Sequence, residues 1–479
     1  MNSMSSSAVQ PAILPFGSLA WFKRELVPTQ LREIRTAIMV AAAVLCVIIS
    51  MTLQVPWLDV TAYMPFFISQ ETRLKTTIVG MAGFVGLTIG VGITLLLYKF
   101  TYGHPELRIP GMAMALFLGM WLSRVFVIGP LGFLIGFIVS YSQSIAESVP
   151  SPELLVRGIL WLWVAIAYAV GLTVVLNLLF LPDAAGPRAH LPKSKSIFVS
   201  DAFTNPAHVH FALKVTFAAM FCYIFYSAID WTGIHTAFIT CTFIALESTG
   251  ATLHKGVLRI GGCIIGGALA LFTIVFLMPH MVTIASLVVV VACASAVAGW
   301  VATGSEMISY AGLQIAFAFF YSVFQGYAPD TDLDNVRDRV VGILFGLIVT
   351  GLVFAYIWPE HTIDRFRDAL RAALRQLANL LERPRPDVSI EKTEAEADAL
   401  IAETSKSIEQ ARRYADLTVF EFEESRVPDR LTTTKLESIL ARAEEIFVSA
   451  KSLVWGDAQQ DQNRNALLSE TAAELQRLD

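Results

Sequence analysis

The feature that most constrains this chain is a long hydrophobic pattern written twice. Six apolar segments run from about Ile34 to Pro182, and six more follow from about Phe211 to Pro359. Each copy opens beside a basic residue, Arg35 or Lys214, and passes a Trp-bearing turn, Val55-Pro-Trp57-Leu-Asp59 in one and Asp230-Trp231-Thr-Gly233 in the other. A shorter apolar segment then reaches a polar hinge, Ser69 to Lys75 answering Leu246 to Lys255. Both copies close on a long apolar helix that begins near charged residues, Glu153 and Arg157 or Asp338 and Arg339, and ends at Pro182 or Pro359. Runs such as 36–54, 76–98, 159–181, 256–278, 281–301 and 340–358 approach the roughly 20 apolar residues that cross a bilayer core of about 30 Å. A doubled bundle of such helices is a common way to place a binding site near the bilayer midplane between two halves.

The expected fold is an all-α integral membrane protein of about twelve spans, two repeated six-helix transmembrane bundles followed by a cytoplasmic helical C-terminal tail. The runs at 60–70 and 232–247 are short, and 111–145 must hold two helices folded back at Ile128-Gly-Pro130-Leu-Gly132. Short or broken spans at matching places are where substrate sites tend to lie. The pattern divides the chain into an N-terminal stretch 1–33 with an interfacial helix, a first repeat 34–182, a linker 183–209, a second repeat 210–359 and a tail 360–479. Charge follows the same division, since 24 of the 40 acidic residues fall after Trp358. In the tail Phe366, Leu370, Leu374, Leu377 and Leu381 recur at helical spacing.

Basic residues ahead of the first span, Lys23, Arg24, Arg32 and Arg35, predict a cytoplasmic N-terminus. Twelve spans then return the C-terminus to the cytoplasm, and two halves of like orientation are related by an axis along the membrane normal. All loops on the outer side are short. A substrate that must cross a second membrane would need another protein to carry it. Leu14 to Arg24 sets aromatics beside basic residues and reads as a helix lying on the inner leaflet. The five cysteines lie within predicted spans at no metal-ligand spacing, so no disulfide, metal or cofactor is expected. The glycine-rich strings carry no phosphate-binding lysine, and no nucleophile or acid/base pair has recognisable spacing. Neither an enzyme nor a nucleic-acid-binding protein is expected.

Ionisable groups within spans are costly in lipid, which makes each a functional candidate. Glu247, with His254, Lys255 and Arg259 one to three turns on, is the foremost candidate for proton coupling; a helix-end ion pair is the alternative. Glu71, beside Arg73, and Glu306 are further candidates. Glu306, Tyr310 and Gln314 are spaced to share a helical face, and Tyr141 with Gln143 offers a similar polar patch in the first copy. Such groups suit a planar, partly charged ligand, or they merely join helices by hydrogen bonds. Arg157 and Arg339 could pair with a substrate carboxylate, or snorkel to the headgroups. The recurrent glycines, among them Gly80, Gly83, Gly86, Gly90, Gly262 and Gly266, read as helix-packing positions.

The stretch Trp231 to Gly262, with Glu247, Lys255 and Arg259, resembles the fusaric acid resistance family, which includes bacterial aromatic carboxylic acid exporters. Leu19-Ala-Trp-Phe22, Ile49-Ser-Met-Thr52 and Lys99-Phe-Thr-Tyr-Gly103 are similar to its multidrug-efflux branch, and the likeness covers roughly 15–360. The resemblance implies a bacterial inner-membrane exporter of aromatic or amphipathic acids and toxic compounds. It also implies a periplasmic membrane-fusion adaptor and, with it, an outer-membrane channel. Members often carry a large cytoplasmic region between the halves, where this chain has only 183–209. The expectation is therefore proton-coupled efflux of small molecules from within membrane lipid, homo-oligomerisation being compatible with it. An importer or exchanger of organic acids, and a membrane scaffold that moves nothing, are the alternatives.

Overall fold

A computed structural model of the chain describes residue 23 and residues 25–146, 148–182, 197–246, 248–326, 328–329, 334–382, 391–421, 433–454 and 461–478. The interfacial segment 14–22, Glu247 and most of the linker lie outside the described residues. The chain divides into two compact units, residues 1–245 with 255–350, and residues 246–254 with 351–479.

Twelve helices are described across the two repeats. The first copy contributes α1 (Gln30–Leu53), α2 (Leu58–Ile68), α3 (Arg73–Thr101), α4 (Pro105–Val125), α5 (Gly129–Ser144) and α6 (Pro152–Phe180). The second contributes α7 (Ala207–Ala228), α8 (Thr236–Ile244), α9 (Thr249–Phe272), α10 (Ile284–Ala302), α11 (Ser309–Val323) and α12 (Asp334–Tyr356), with a 3-10 turn Thr232–His235 leading into α8. Hydroxyl caps start several of them: Thr29, Thr72, Ser151 and Thr283 each accept from a backbone N–H in the first turn. Among the described residues, seven helices are long and apolar enough to cross a membrane. Their outward residues, such as Met81, Leu96, Leu179, Ile264 and Ile348, are exposed. In a water-soluble protein this would be an unusual apolar surface; against lipid it is solvated.

The repeats pack by exchanging equivalent partners. α1, first of its repeat, lies on α10, fourth of the other, and α4 lies on α7 in the converse arrangement. A cation–π contact marks each junction: Arg32 sits 4.7 Å above the Trp300 ring, and Arg124 sits 5.0 Å above Phe211. Within each repeat the fourth and fifth helices approach very closely. A Cβ on Gly119 of α4 would lie 2.4 Å from the Cα of Gly136 on α5, and one on Gly312 of α11 would lie 2.1 Å from the backbone nitrogen of Ala302 on α10. The third helix packs on the fifth in both copies through Gly86 and Gly90 or Gly262 and Gly266. Small residues let helices approach where lipid supplies no hydrophobic drive for association.

The second unit holds α13 (Thr362–Glu382), α14 (Glu391–Leu417), α15 (Thr433–Val454) and α16 (Asp461–Gln476). The first follows the leucine periodicity of the sequence, and Phe366, Leu370 and Leu374 bury against Ile408, Leu436, Ile439 and Leu440. The tail expected to be helical holds these four helices among the described residues. The hinge Leu246–His254 belongs to this unit. Glu421 accepts from the backbone N–H of Thr362 through both oxygens, at 3.2 and 3.1 Å, and from the His361 ring at 3.0 Å. The Thr362 hydroxyl donates to Ser248 at 3.1 Å and accepts from the backbone N–H of Gly250 at 3.1 Å.

Candidate functional site

The four shortest of the twelve helices, α2, α5, α8 and α11, are the second and fifth of each repeat. At about 1.5 Å per residue, the 16 residues of α5 reach about 24 Å, short of a bilayer core. Such helices are tolerated at membrane depth when other protein encloses them or when they line a cavity. Here they do the latter. A cavity of about 290 Å³ lies among them, closed further by residues of α3, α6 and α9.

Its wall is largely aromatic. Phe133, Phe137 and Tyr141 recur at every fourth residue of α5 and stack in a ladder, with centroids 6.0 and 5.5 Å apart. From α8 of the other repeat, Phe243 sets its edge against Phe133 and Phe137 at 5.1 and 4.9 Å. Opposite them, Phe317 and Tyr321 occupy neighbouring turns of α11, and Tyr63 of α2 meets Phe317 edge-on at 4.8 Å. Offset and edge-to-face contacts of this kind hold rings in defined orientations.

Three charges are buried in or beside this wall. Arg259 is 1% exposed; its Nε donates to the Thr240 hydroxyl at 3.2 Å and one Nη donates to Tyr310 at 3.2 Å and Gln314 at 3.0 Å. Its other Nη has no hydrogen-bond partner. Arg339 is 2% exposed, with its guanidinium 3.9 Å above Phe317 and 5.0 Å above Tyr321. None of its three nitrogens meets an acceptor at hydrogen-bonding geometry, although the Cys263 thiol is close enough to interact. Asp59 is 7% exposed, lines the cavity at the start of α2, and feels the charge of Arg339. Among the described residues none of the three forms an ion pair. His235 completes the polar lining, its Nδ1 3.2 Å from the Thr232 carbonyl and its Nε2 3.4 Å from the Tyr321 hydroxyl.

The structure sorts the candidates expected from the sequence. Arg259, Gln314 and Tyr141 line the cavity; Tyr310 holds Arg259; Arg339 stands behind Phe317 and Tyr321. Gln143 is buried away from the wall and accepts from the Thr101 hydroxyl at 3.0 Å. Arg157 points outward, 64% exposed, and pairs with Glu153 at 2.9 Å. Glu71 is exposed and pairs with Lys75 at 2.9 Å, whose hydrogen bond and charge hold the carboxylate below its usual range. Glu306 does not share the face of Tyr310 and Gln314. It is exposed in the turn closed by the Ser309 N–H bonding to Ser305, and α11 begins only at Ser309. Asp59 and His235 were not singled out from the sequence as site residues. One signal was present: Asp59 stands where the other Trp-bearing turn has Gly233, a departure from the repeat that places a carboxylate in an apolar run.

A bundle of membrane helices in two exchanged halves, enclosing a charged and aromatic cavity between its short helices, is the architecture of an all-α transporter-type membrane protein. The sequence profile of the family described as Aluminium activated malate transporter matches residues 202–439, which take in the second repeat and part of the second unit. The chain is also similar to Multidrug resistance protein MdtO of Shigella flexneri, 37% identical over 188 residues, and of Escherichia coli strain K12, 36% identical over 187 residues. These matches cover 39% of this chain and 28% or 27% of the relative, so the chain matches under a third of the relatives' length. Together with the apolar helices, the likenesses support a membrane transporter.

Proposed function

We propose that the protein is an inner-membrane efflux transporter for aromatic or amphipathic organic acids, with the inter-repeat cavity as its binding site. The observation that carries this reading is the pair of buried guanidiniums, Arg259 and Arg339, with unpartnered nitrogens beside an aromatic wall. A buried charge left uncompensated is strongly unfavourable, and a bound carboxylate would compensate it while its ring lies against Phe137, Phe243 or Phe317. A cavity of about 290 Å³ suits a ligand of one or two rings. The outward direction rests on the likeness to multidrug resistance proteins.

Coupling to the proton gradient, with Glu247 as the exchanging carboxylate, and a periplasmic adaptor belong to the same reading. The connections between the membrane helices within each repeat are short, which leaves passage beyond the membrane to a partner. The test is efflux of aromatic acids and dyes from cells expressing the chain with an adaptor, comparing wild type, Arg339→Gln and Glu247→Gln with and without an uncoupler. Efflux sensitive to uncoupler and lost in both variants at equal membrane insertion supports the whole reading. Loss in Arg339→Gln alone retains the cavity and removes Glu247 from coupling. Unchanged efflux in Arg339→Gln sinks the assignment of the cavity.

The match to the malate transporter family favours one second reading, passive or exchange movement of small organic anions. Uptake of labelled malate with no efflux of aromatic acids would select it. A scaffold that moves nothing would tolerate neutralisation of both arginines.

A further inference from the structure

We propose that the cavity has a second, apolar subsite in the first repeat, opened by Gly83, which receives the ring or alkyl end of an acid whose carboxylate Arg259 holds from the second repeat. This rests on the reading of the cavity as an organic-anion site. The two repeats can be set in register through their helix crossings. The third helix meets the fifth through Gly86 and Gly90 in one copy and Gly262 and Gly266 in the other, and a Cβ on Gly86 would touch Leu134 where one on Gly262 would touch Gln314. Three residues before Gly86 and Gly262 stand Gly83 and Arg259. On the second helices the equivalent rings Phe67 and Phe243 meet at 6.4 Å, and three residues before them stand Met64 and Thr240. Arg259 and its partners Thr240 and Gln314 are thus answered by Gly83, Met64 and Leu134, all three of which line the cavity. Where the second repeat holds a guanidinium in a polar cradle, the first has an apolar recess.

The sequence pattern groups Gly83 with Gly80, Gly86 and Gly90 as helix-packing positions, and the structure separates it from them. A Cβ would lie 2.6 Å from Val174 at Gly80, 3.0 Å from Leu131 and Leu134 at Gly86, and 3.0 Å from Ile138 at Gly90, so a neighbouring helix closes each of those positions. At Gly83 it would come within 4 Å of Ile68 alone, at 3.9 Å, an ordinary contact. No helix crossing requires glycine there; its small size leaves room inside the cavity instead. The lining beside it is aliphatic, with Ile68, Leu87, Leu134 and Val170. Polar lining from the first repeat lies elsewhere: Asp59 begins α2 near the end opposite Ile68, about 13.5 Å away along the helix, and Tyr141 and Ser142 lie two turns beyond Leu134 on α5. Such a recess selects by how much apolar surface it can remove from water, so an added side chain at Gly83 should exclude the group that would fill it.

The experiment is calorimetric titration of the full chain in lipid nanodiscs, with empty nanodiscs as blank, using benzoate and 4-butylbenzoate at pH 7.5. Wild type should bind 4-butylbenzoate at least tenfold more tightly than benzoate. Gly83→Leu should bring the two affinities within about twofold of each other, since its side chain occupies the space of the butyl group. Gly83→Ala, whose methyl displaces no neighbour, should narrow the ratio at least twofold, and it carries the test should Gly83→Leu fail to insert. Arg259→Gln should weaken both acids by a similar factor and leave the ratio standing, as expected of two separate subsites. A butyl group that adds no affinity in wild type, a ratio unmoved by both substitutions at Gly83, or a ratio that collapses equally in Arg259→Gln overturns the proposal and leaves the anion site standing. Failure of wild type to bind either acid overturns both.

Discussion

Arg259 is held as a fork. Its Nε and one Nη reach Thr240, Tyr310 and Gln314, and the remaining Nη is buried with no hydrogen-bond partner in a residue that lines the cavity. Lysine offers a point charge on a flexible stem and cannot reproduce that fork. Arg259→Lys and Arg259→Gln should therefore each lower efflux of an aromatic acid at least tenfold, in a transport assay normalised to membrane insertion. The exposed pairs should behave oppositely. Glu71–Lys75 and Arg157–Glu153 are solvent-screened i,i+4 contacts worth about 0.3–0.5 kcal/mol. Glu71→Gln and Arg157→Gln should leave efflux within about twofold of wild type in the same assay; a tenfold loss at Arg157 would relocate the anion path to that side of α6. At this scale the sequence was informative where a residue type is intrinsically costly in lipid. Arg259 and Arg339 were candidates on that ground, whereas Tyr310 and Gln314 were candidates through their helical spacing. Asp59 was not, because an acid in the first turn of a helix is ordinary for complementing the helix dipole.

Among the elements, the fourth and fifth helices of each repeat depend on glycine at their crossing. Gly119 faces the backbone of Gly136, and Gly312 faces that of Ala302 and Ala298. No side-chain rotation relieves such a clash, so a larger residue must part the helices. Gly119→Val and Gly312→Val should each cost about 1–3 kcal/mol, the range for overpacking. A thermal melt of detergent-purified protein followed by monodispersity checks this, with Gly267→Val as control because a Cβ there meets nothing within 4 Å. An equal drop in all three would refute the crossing as the cause. The short spans were readable in advance: 60–70 and 232–247 became α2 and the Thr232–Ile244 segment, both on the cavity wall. The helical face proposed for Glu306 was not, because Gly304-Ser305 ends α10 and the next helix starts beyond Glu306.

For the whole molecule, the two units have separate cores and should respond separately to core mutation. Leu374 is fully buried in the core of α13 to α15, and its truncation to alanine should cost about 2–5 kcal/mol within that unit. Limited proteolysis should then cut the region after residue 360 faster in Leu374→Ala, while the helices of residues 30–350 stay protected. Uniform degradation of the whole chain would contradict separate cores. The sequence by itself determined the helical membrane fold, the doubling and the matching short spans, because hydropathy, length and capping act over one or two helical turns. Only the tertiary structure decided which side chains meet the cavity. Arg157 and Arg339 both begin the last helix of a repeat, yet one is 64% exposed beside Glu153 and the other 2% exposed over Phe317 and Tyr321. The direction each faces is set by the rotation of its helix against neighbours far away in the chain, and no local pattern carries that rotation.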